Sequence, residues 1–229
     1  MDTLVLWDID LTLVDYTGIG RRWYTEALAV AVGKELAHMP HFAGRTERSL
    51  AKEMLREHGE EHDDEHVEAL LTALETIGLA EGPTMPTLGR ALDGAADILA
   101  ALAGRTGVVQ SLVTGNLPTL ADVKLAAFDL TRHLDLAIGG YGSLSEHRHD
   151  LVEDAMARAA VKHGTPFAAS SVVVIGDTPM DVAAGRHHGT VTVGVATGRY
   201  TADQLAESGA DVVLPSLADT PAVLTALLR

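Results

Sequence analysis

Short apolar segments alternate with helical segments through most of the chain, and this alternation constrains the fold more than any other feature of the sequence. Strands are predicted at residues 107–113, 134–138, 171–175, 191–195 and 211–214. Helices are predicted at residues 95–103, 118–128, 150–163, 179–187, 202–208 and 222–228. An apolar run at residues 4–7 adds a strand near the start of the chain. Strands that alternate with helices predict an α/β fold with a doubly wound, Rossmann-like parallel sheet.

A long segment without a convincing strand separates the first strand from the rest of this pattern. Helices are predicted in it at residues 22–32, 46–58 and 66–77, and a glycine follows each of them. Residues 82–86, rich in glycine and proline, are predicted to be a linker. We therefore expect a core formed by residues 1–15 and 91–229, with an inserted all-helical domain at residues 16–90.

The composition excludes several classes of protein. The formal net charge of −15 argues against a nucleic-acid partner, which requires a basic face. The chain has no cysteine, which excludes disulfides and thiolate chemistry. No apolar run is long enough to cross a membrane and the first residues lack a secretory pattern, so we expect a cytoplasmic protein with no membrane partner. The oligomeric state stays open between monomer and homodimer.

Two aspartates, Asp8 and Asp10, follow the first predicted strand. Residues two apart in an extended chain project to the same face, so the two carboxylates are expected to converge. Two anions held close together require a cation or a shared proton, and oxygen ligands favour a hard cation such as Mg²⁺. A solvated turn is the alternative interpretation of such a pair.

Polar residues also follow two other predicted strands. Thr114, Gly115 and Asn116 follow one strand and precede a helix, and Asp177 with Asp181 follows another. Ligands of doubly wound sheets bind beyond the carboxyl ends of the strands, so these residues are expected to form one site. Taken singly, Thr114 could be a helix cap, and the two aspartates could be a turn residue and a first-turn acid.

Four motifs in this order resemble those of the haloacid dehalogenase superfamily of phosphohydrolases. They are the Asp8-Ile9-Asp10-Leu11-Thr12 stretch, Thr114 at a strand end, a basic residue at Arg148, and Gly176-Asp177 with Asp181. The helical insert is similar to the C1 cap of that superfamily. The resemblance implies a Mg²⁺-dependent phosphatase acting on a small phosphorylated metabolite, similar to phosphoglycolate phosphatase and β-phosphoglucomutase-like members.

The resemblance also implies a role for each motif residue. Asp8 is expected to be the nucleophile and Asp10 the general acid and base. The metal is expected to be held by Asp8, the Asp10 backbone carbonyl and Asp177, with support from Asp181. Expected phosphate-binding residues are Thr12, Thr114, Gly115 and Asn116. Arg148 is expected to add positive charge, although His147 and Lys162 are alternatives for it.

Other features leave alternatives open. Leu11 stands where many relatives have glycine. Arg21, Arg22 and Arg45 are candidate substrate contacts from the cap, with Arg45 the strongest, or simply solvated side chains. His58, His62 and His66 have the spacing of a helical zinc site, but Gly59 and the acidic residues among them favour a solvated connection.

Three functions stay open, with a fourth disfavoured. They are a metabolite phosphatase, a phosphomutase of the same fold and a non-catalytic phosphate-binding protein. Asp10 disfavours a dehalogenase, since that reaction leaves no ester oxygen to protonate.

Overall fold

The computed structural model describes residues 2–228 and contains a six-stranded parallel sheet. The strands of this sheet are β1 (Thr3–Trp7), β4 (Val108–Thr114), β5 (Gly140–Tyr141), β6 (Val172–Gly176), β7 (Val191–Val195) and β8 (Val212–Leu214). Their order across the sheet is β5-β4-β1-β6-β7-β8, and every neighbouring pair is parallel. The predicted α/β class with a doubly wound sheet is confirmed.

Strand β1 lies inside the sheet and has apolar side chains on both faces. Val5 and Trp7 belong to one hydrophobic cluster and Leu4 and Leu6 to another, and all four are fully buried. Alternate residues of a strand face opposite sides of the sheet, so β1 is covered by helices on both sides. Asp8 follows directly, and this places its carboxyl group in the middle of the carboxyl edge.

Helices follow the strands of the sheet much as the sequence predicts. They are α5 (Ala95–Ala103), α6 (Pro118–Ala126), α7 (Arg148–His163), α8 (Pro179–His187), α9 (Ala202–Glu207) and α10 (Thr220–Leu227). Helix α8 begins with a capping box in which Thr178 and Asp181 bond to each other's backbone N–H groups. This cap fixes Asp181 beside the end of β6.

The segment between β1 and the rest of the sheet is helical. It contains α1 (Ile19–Val32), α2 (Glu47–Glu57), α3 (Asp64–Glu81) and the short α4 (Met85–Leu88). Thr46 caps α2 by accepting a hydrogen bond from the Ser49 N–H, and Gly33 ends α1 in a left-handed conformation. A two-stranded antiparallel ribbon, β2 (Val14–Asp15) with β3 (Arg90–Ala91), lies where this segment leaves and rejoins the core.

Three local predictions are wrong. Helix α3 does not stop at Gly78, because this glycine is a packing position: a Cβ there would overlap the side chain of Leu120 in α6. Residues 82–86 continue as a 3₁₀ turn and the start of α4 rather than as a linker. Residues 134–138 form no strand, because Asp135 caps a 3₁₀ turn by accepting a hydrogen bond from the Ala137 N–H.

Two negative expectations concern metals and membranes. Within residues 2–228, no helix combines the length and apolar character needed to span a bilayer. Two of the three histidines with the spacing of a helical zinc site bond to other groups. His58 bonds to the backbone of Met54 and Ala37, and His66 bonds to Asp63. His62 is exposed in the connection between α2 and α3.

Candidate active site

A cavity of about 490 Å³ lies between the carboxyl edge of the sheet and the helical insert. The core contributes polar residues to its walls: Asp8, Asp10, Thr114, Gly115, Asn116, Lys124, Arg148, Asp177 and Thr178. The insert contributes aromatic and apolar residues together with Glu47. Ligands of an open α/β sheet bind at this edge, so the cavity is the candidate active site.

Three buried carboxyl groups meet at the core side of the cavity. Asp8, Asp177 and Asp181 each have an oxygen atom within 4.8 Å of an oxygen of the others. Asp8 follows β1, whereas Asp177 and Asp181 lie at and beyond the end of the neighbouring strand β6. Parallel pairing of these two strands therefore brings the first and fourth sequence motifs together.

Arg148 is the cation that faces this carboxyl group cluster. Its Nη2 atom lies 2.6 Å from Asp8 Oδ1 and 2.6 Å from Asp181 Oδ1, the first contact being an aligned hydrogen bond. The alternatives for this motif are placed elsewhere: His147 is exposed and Lys162 pairs with Asp135 at 2.6 Å. One guanidinium against three carboxyl groups leaves a local excess of negative charge.

Burial, together with the neighbouring carboxyl groups, raises the pKa values of two of the three carboxyl groups. Burial raises the pKa of Asp177 to about 9, with Asp181 and Asp8 adding to the shift. Burial also raises the pKa of Asp8 to about 7, although Arg148 opposes the shift. Burial lowers the pKa of Arg148, but Asp181 and Asp8 outweigh it, and the net pKa lies above its usual value. The arrangement thus favours binding of a proton or another cation.

The donor set fits a hard divalent cation. The available donors are carboxylate oxygens only, which suits Mg²⁺. Asp8 Oδ2 makes no hydrogen bond to residues 2–228, and Asp177 likewise receives no side-chain hydrogen bond from them, so both have oxygen atoms to offer. Asp181 differs, because Oδ2 accepts hydrogen bonds from Thr178 and Oδ1 faces Arg148. Both oxygens of Asp181 therefore face protein groups, and its support of a metal stays a prediction.

Asp10 belongs to a second network, on the insert side of the cluster. Lys124 Nζ donates to both carboxylate oxygens of Asp10 at 2.8 Å and to Asn116 Oδ1 at 2.6 Å. Asn116 Nδ2 donates to Asp10 Oδ2 and to Thr114 Oγ1, each at 2.8 Å. The Asn116 side chain therefore orients Asp10 and Lys124, and phosphate binding by the backbone N–H groups of Gly115 and Asn116 stays a prediction.

Lys124 was not predicted as a site residue. It lies in the last turn of α6, among the buried residues Leu120, Ala121 and Leu125 of that helix, and it is buried. A lysine among the apolar residues of an amphipathic helix is a signal that could have identified it, because a buried lysine requires an acidic partner.

The remaining predicted phosphate ligands are placed differently from one another. Thr114 lies at the cavity floor, and its hydroxyl accepts hydrogen bonds from Asn116, so its own hydrogen can be donated to a ligand. Gly115 lines the cavity and passes close to the insert, where a Cβ would overlap the Arg45 carbonyl. Thr12 does not line the cavity: its buried hydroxyl has no hydrogen-bond partner within residues 2–228. A direct role for Thr12 in phosphate binding is not supported.

The predicted contacts from the insert are mostly occupied. Arg45 lines the cavity, but its guanidinium pairs with Glu53 and donates to the Ser49 carbonyl at 3.0 Å. Arg22 pairs with Glu81 at 2.5 Å, and Arg21 is exposed at the rim. Glu47 and Tyr24, which sequence reasoning missed, face the cavity and share a hydrogen bond from the tyrosine hydroxyl to the carboxyl group. No motif marks them, since both lie on helices with ordinary apolar spacing.

Comparison with known proteins supports the fold. Residues 149–220 match the family described as HAD-hydrolase-like. A hydrolase from Pseudomonas syringae is similar over 98% of both chains, with 23% identity and a TM-score of 0.68. The chain has a HAD-like hydrolase fold. The resemblance to haloacid dehalogenase-like hydrolases is therefore confirmed.

Other similar structures carry more specific descriptions. A protein described as a predicted phosphoglycolate phosphatase from Haemophilus somnus has 17% identity and a TM-score of 0.65, with 97% of each chain covered. A β-phosphoglucomutase candidate from Bacteroides vulgatus has 19% identity and a TM-score of 0.68, with 99% of this chain and 89% of that chain covered. None of the curated proteins matches the sequence. At these identities the likeness of the HAD-like chain to its neighbours concerns the fold.

Proposed function

We propose that this HAD-like protein is a Mg²⁺-dependent phosphatase that hydrolyses a phosphate monoester of a small metabolite through an aspartyl-phosphate at Asp8. The observation that carries the proposal is the meeting of Asp8, Asp177 and Asp181 with Arg148 at the floor of one cavity. A structural role alone does not account for three buried carboxyl groups facing one guanidinium, because uncompensated buried charge is destabilising.

Asp8 is suited to attack phosphorus with one oxygen. Arg148 donates to Oδ1 and fixes the carboxylate, and Oδ2 accepts no hydrogen bond from residues 2–228. Attack by Oδ2 forms the aspartyl-phosphate bond, and the ester bond between phosphorus and the leaving oxygen breaks. Asp8 and Asp177 would hold Mg²⁺, with the Asp10 carbonyl, and the ion would supply positive charge to offset repulsion between the attacking carboxylate and the phosphoryl group.

Asp10 is suited to move the protons of both half-reactions. In the first, a protonated Asp10 gives its proton to the leaving oxygen. In the second, the resulting carboxylate takes a proton from the water that attacks the phosphorus, which releases inorganic phosphate and restores Asp8. Lys124 and Asn116 hold the Asp10 carboxylate between them, which fixes its position in the cavity for both steps.

Phosphate release with matched variants tests the proposal. Inorganic phosphate would be measured with p-nitrophenyl phosphate and a panel of metabolite monoesters, in Mg²⁺ and in EDTA. We expect turnover with Mg²⁺, none with EDTA, and a loss of at least about 10³-fold in Asp8→Asn, since the nucleophile is removed. Asp203→Asn is the control, because Asp203 is exposed in α9. Folded protein that releases no phosphate from any ester contradicts the proposal.

A phosphomutase is distinguished by the same assay. Such an enzyme would require a sugar bisphosphate for activity and would move phosphate between positions without releasing it. A monoester consumed with stoichiometric release of phosphate excludes this alternative.

A further inference from the structure

The insert presents one carboxyl group to the interior of the active-site cavity. Glu47, the first residue of α2, lines the cavity and is partly buried. The Tyr24 hydroxyl donates to Glu47 Oε2, whereas Oε1 accepts no hydrogen bond from residues 2–228. One oxygen of the carboxyl group is therefore fixed and the other is available to a ligand.

The position of Glu47 is set by contacts with the core. Its backbone N–H donates to the Gly115 carbonyl at 2.9 Å, immediately after Thr114 at the cavity floor. The next backbone N–H, of Arg48, donates to the Gly142 carbonyl at 2.9 Å. These two hydrogen bonds join the start of α2 to the carboxyl edge of the sheet, so Glu47 lies where the insert meets this edge, near enough to Lys124 and Asp10 for their charges to act on its pKa.

The cations near Glu47 are already paired. Arg45 is held by Glu53 and Ser49, and Arg48 pairs with Asp64 and Glu68. Lys124, the buried cation of the cavity wall, bonds to Asp10 and Asn116. The other basic side chains of the cavity, Arg21, His41 and Arg199, are exposed at its rim. An anionic group placed beside Glu47 would therefore meet a carboxyl group, while Arg45, Arg48 and Lys124 already hold acidic partners within residues 2–228.

Aromatic rings complete the surroundings of Glu47. Phe42 lies with its ring centroid 5.5 Å from that of Tyr24, and Trp23 also faces the cavity. Such rings pack against aliphatic carbons and attract cations, but they provide no site for an anion. Burial raises the pKa of Glu47 to about 7, in spite of the Tyr24 hydrogen bond, so a ligand that donates to the carboxylate would also relieve the cost of its charge.

We propose that Glu47 is a specificity-determining residue that selects monoesters whose leaving group carries hydroxyl or ammonium donors and rejects those with a carboxylate or second phosphate. The inference rests on the proposed phosphatase function and narrows its substrate class. Glu47 Oε1 accepts a hydrogen bond from the leaving group, and the aromatic rings cover its carbon atoms. A carboxylate or second phosphate at the same place is repelled.

Three monoesters of matched length test this specificity. They are 2-aminoethyl phosphate, 2-hydroxyethyl phosphate and 2-phosphoglycolate, which differ in having an ammonium, a hydroxyl or a carboxylate at the far end. In wild type with Mg²⁺ we expect the first two to have kcat/KM at least about tenfold above that of 2-phosphoglycolate. A wild type that prefers 2-phosphoglycolate overturns the inference and points instead to the cations at the rim.

Variants at position 47 assign the preference to its charge. Glu47→Gln should lower the ratio of kcat/KM for 2-aminoethyl phosphate to kcat/KM for 2-phosphoglycolate by about tenfold, mainly through KM. Glu47→Asp should still prefer 2-aminoethyl phosphate. Glu57→Gln is the matched control, because it removes the same charge from the other end of α2 outside the cavity. Equal ratios in Glu47→Gln and Glu57→Gln overturn the inference.

Failure of the inference is distinguishable from failure of the proposed function. Circular dichroism melting confirms that each variant is folded. Hydrolysis of p-nitrophenyl phosphate by wild type without the expected preference overturns the role of Glu47 alone. Absence of hydrolysis of all four esters by folded wild type overturns the phosphatase itself, and the role of Glu47 with it.

Discussion

The active-site cavity has a core wall, formed by the carboxyl edge of the sheet, and an insert wall, formed by the helical insert, and the two differ in their balance of charged groups. On the core wall, three carboxyl groups share one arginine, so negative charge is in excess and the pKa values of Asp8 and Asp177 are raised. On the insert wall, Arg45 is paired with Glu53, Arg21 and His41 are exposed at the rim, and the carboxyl group of Glu47 faces the cavity. This difference agrees with the proposed function, in which the core wall binds a cation and the phosphoryl group and the insert wall contacts the rest of the substrate.

Two arginines, one in each wall, sharpen this comparison most strongly. Arg148 is buried between Asp8 and Asp181, and Arg45 is a partly exposed partner of Glu53. Arg148→Met should lower the free energy of unfolding by about 3 kcal/mol or more, because it leaves buried carboxyl groups without their cation. Arg45→Met should cost about 1 kcal/mol or less. Urea unfolding measures both, and equal losses would contradict the distinction.

Two lysines extend the comparison to activity. Lys124 holds Asp10 within the cavity, whereas Lys52 forms an exposed ion pair with Glu146 at 2.6 Å. Lys124→Met should lower kcat by about 10- to 100-fold, since Asp10 loses the cation that orients it for proton transfer. Lys52→Met is the control and should leave kcat close to that of wild type. A Lys124→Met enzyme with full activity would remove the lysine from the account of proton transfer.

The effect of Mg²⁺ on stability should depend on pH because of the core wall. The pKa of Asp8 rises from 3.8 to about 7 and that of Asp177 from 3.8 to about 9, so the folded metal-free protein holds protons that the unfolded chain has released. The contribution of Asp8 and Asp177 to the free energy of unfolding is therefore greatest at low pH and is lost as pH rises through their folded-state pKa values.

A divalent cation replaces these protons, so the increase in Tm caused by Mg²⁺ should be larger at pH 8.5 than at pH 6. Thermal melts with Mg²⁺ and with EDTA at both values measure this. An increase that is equal at the two values, or larger at pH 6, would contradict Mg²⁺ binding at the raised carboxyl groups.

The smallest expected effect concerns two positions with left-handed backbone. Leu11 in the core has φ 60° and Gly44 in the insert has φ 70°. Leu11→Gly should raise the free energy of unfolding by about 1 kcal/mol or less, because relief of strain exceeds the added freedom of the unfolded chain. Gly44→Ala should lower it, because a Cβ there would lie 2.7 Å from Met180 Cβ. Denaturation curves in which Leu11→Gly is less stable than wild type, or Gly44→Ala is more stable, would contradict this prediction.

The two walls also differ in how much of them the sequence predicts. The core wall follows from strand ends, because parallel pairing of β1 with β6 places Asp8 beside Asp177 without any further information. Arg148 required the structure, since the sequence offered His147 and Lys162 at similar places. The short strand β5 was misplaced because a cap at Asp135, a local effect, outweighs the apolar pattern of residues 134–138.

The insert wall was harder to predict because its cavity residues come from helix packing. Tyr24 lies among the buried residues of α1, and nothing in its spacing separates it from Trp23 or Leu28. Arg45 follows a glycine and precedes a helix, a position from which the sequence alone predicts contact with a ligand. In the structure its guanidinium pairs instead with Glu53, eight residues later on α2. Pairing between side chains of one helix face and its preceding loop depends on rotamers, which periodicity does not specify.

The most direct test of the central claim is to locate the phosphoryl group on the protein. Asp10→Asn, which lacks the base for the second half-reaction, would be mixed with Mg²⁺ and p-nitrophenyl phosphate, whose leaving group departs without a proton from Asp10. The sample would be quenched and treated with borohydride, which reduces an aspartyl-phosphate to homoserine. Peptide mapping by mass spectrometry should find homoserine at position 8, only when Mg²⁺ and ester are both present. Homoserine at another aspartate, or none at all while the wild type releases phosphate, would contradict Asp8 as the nucleophile.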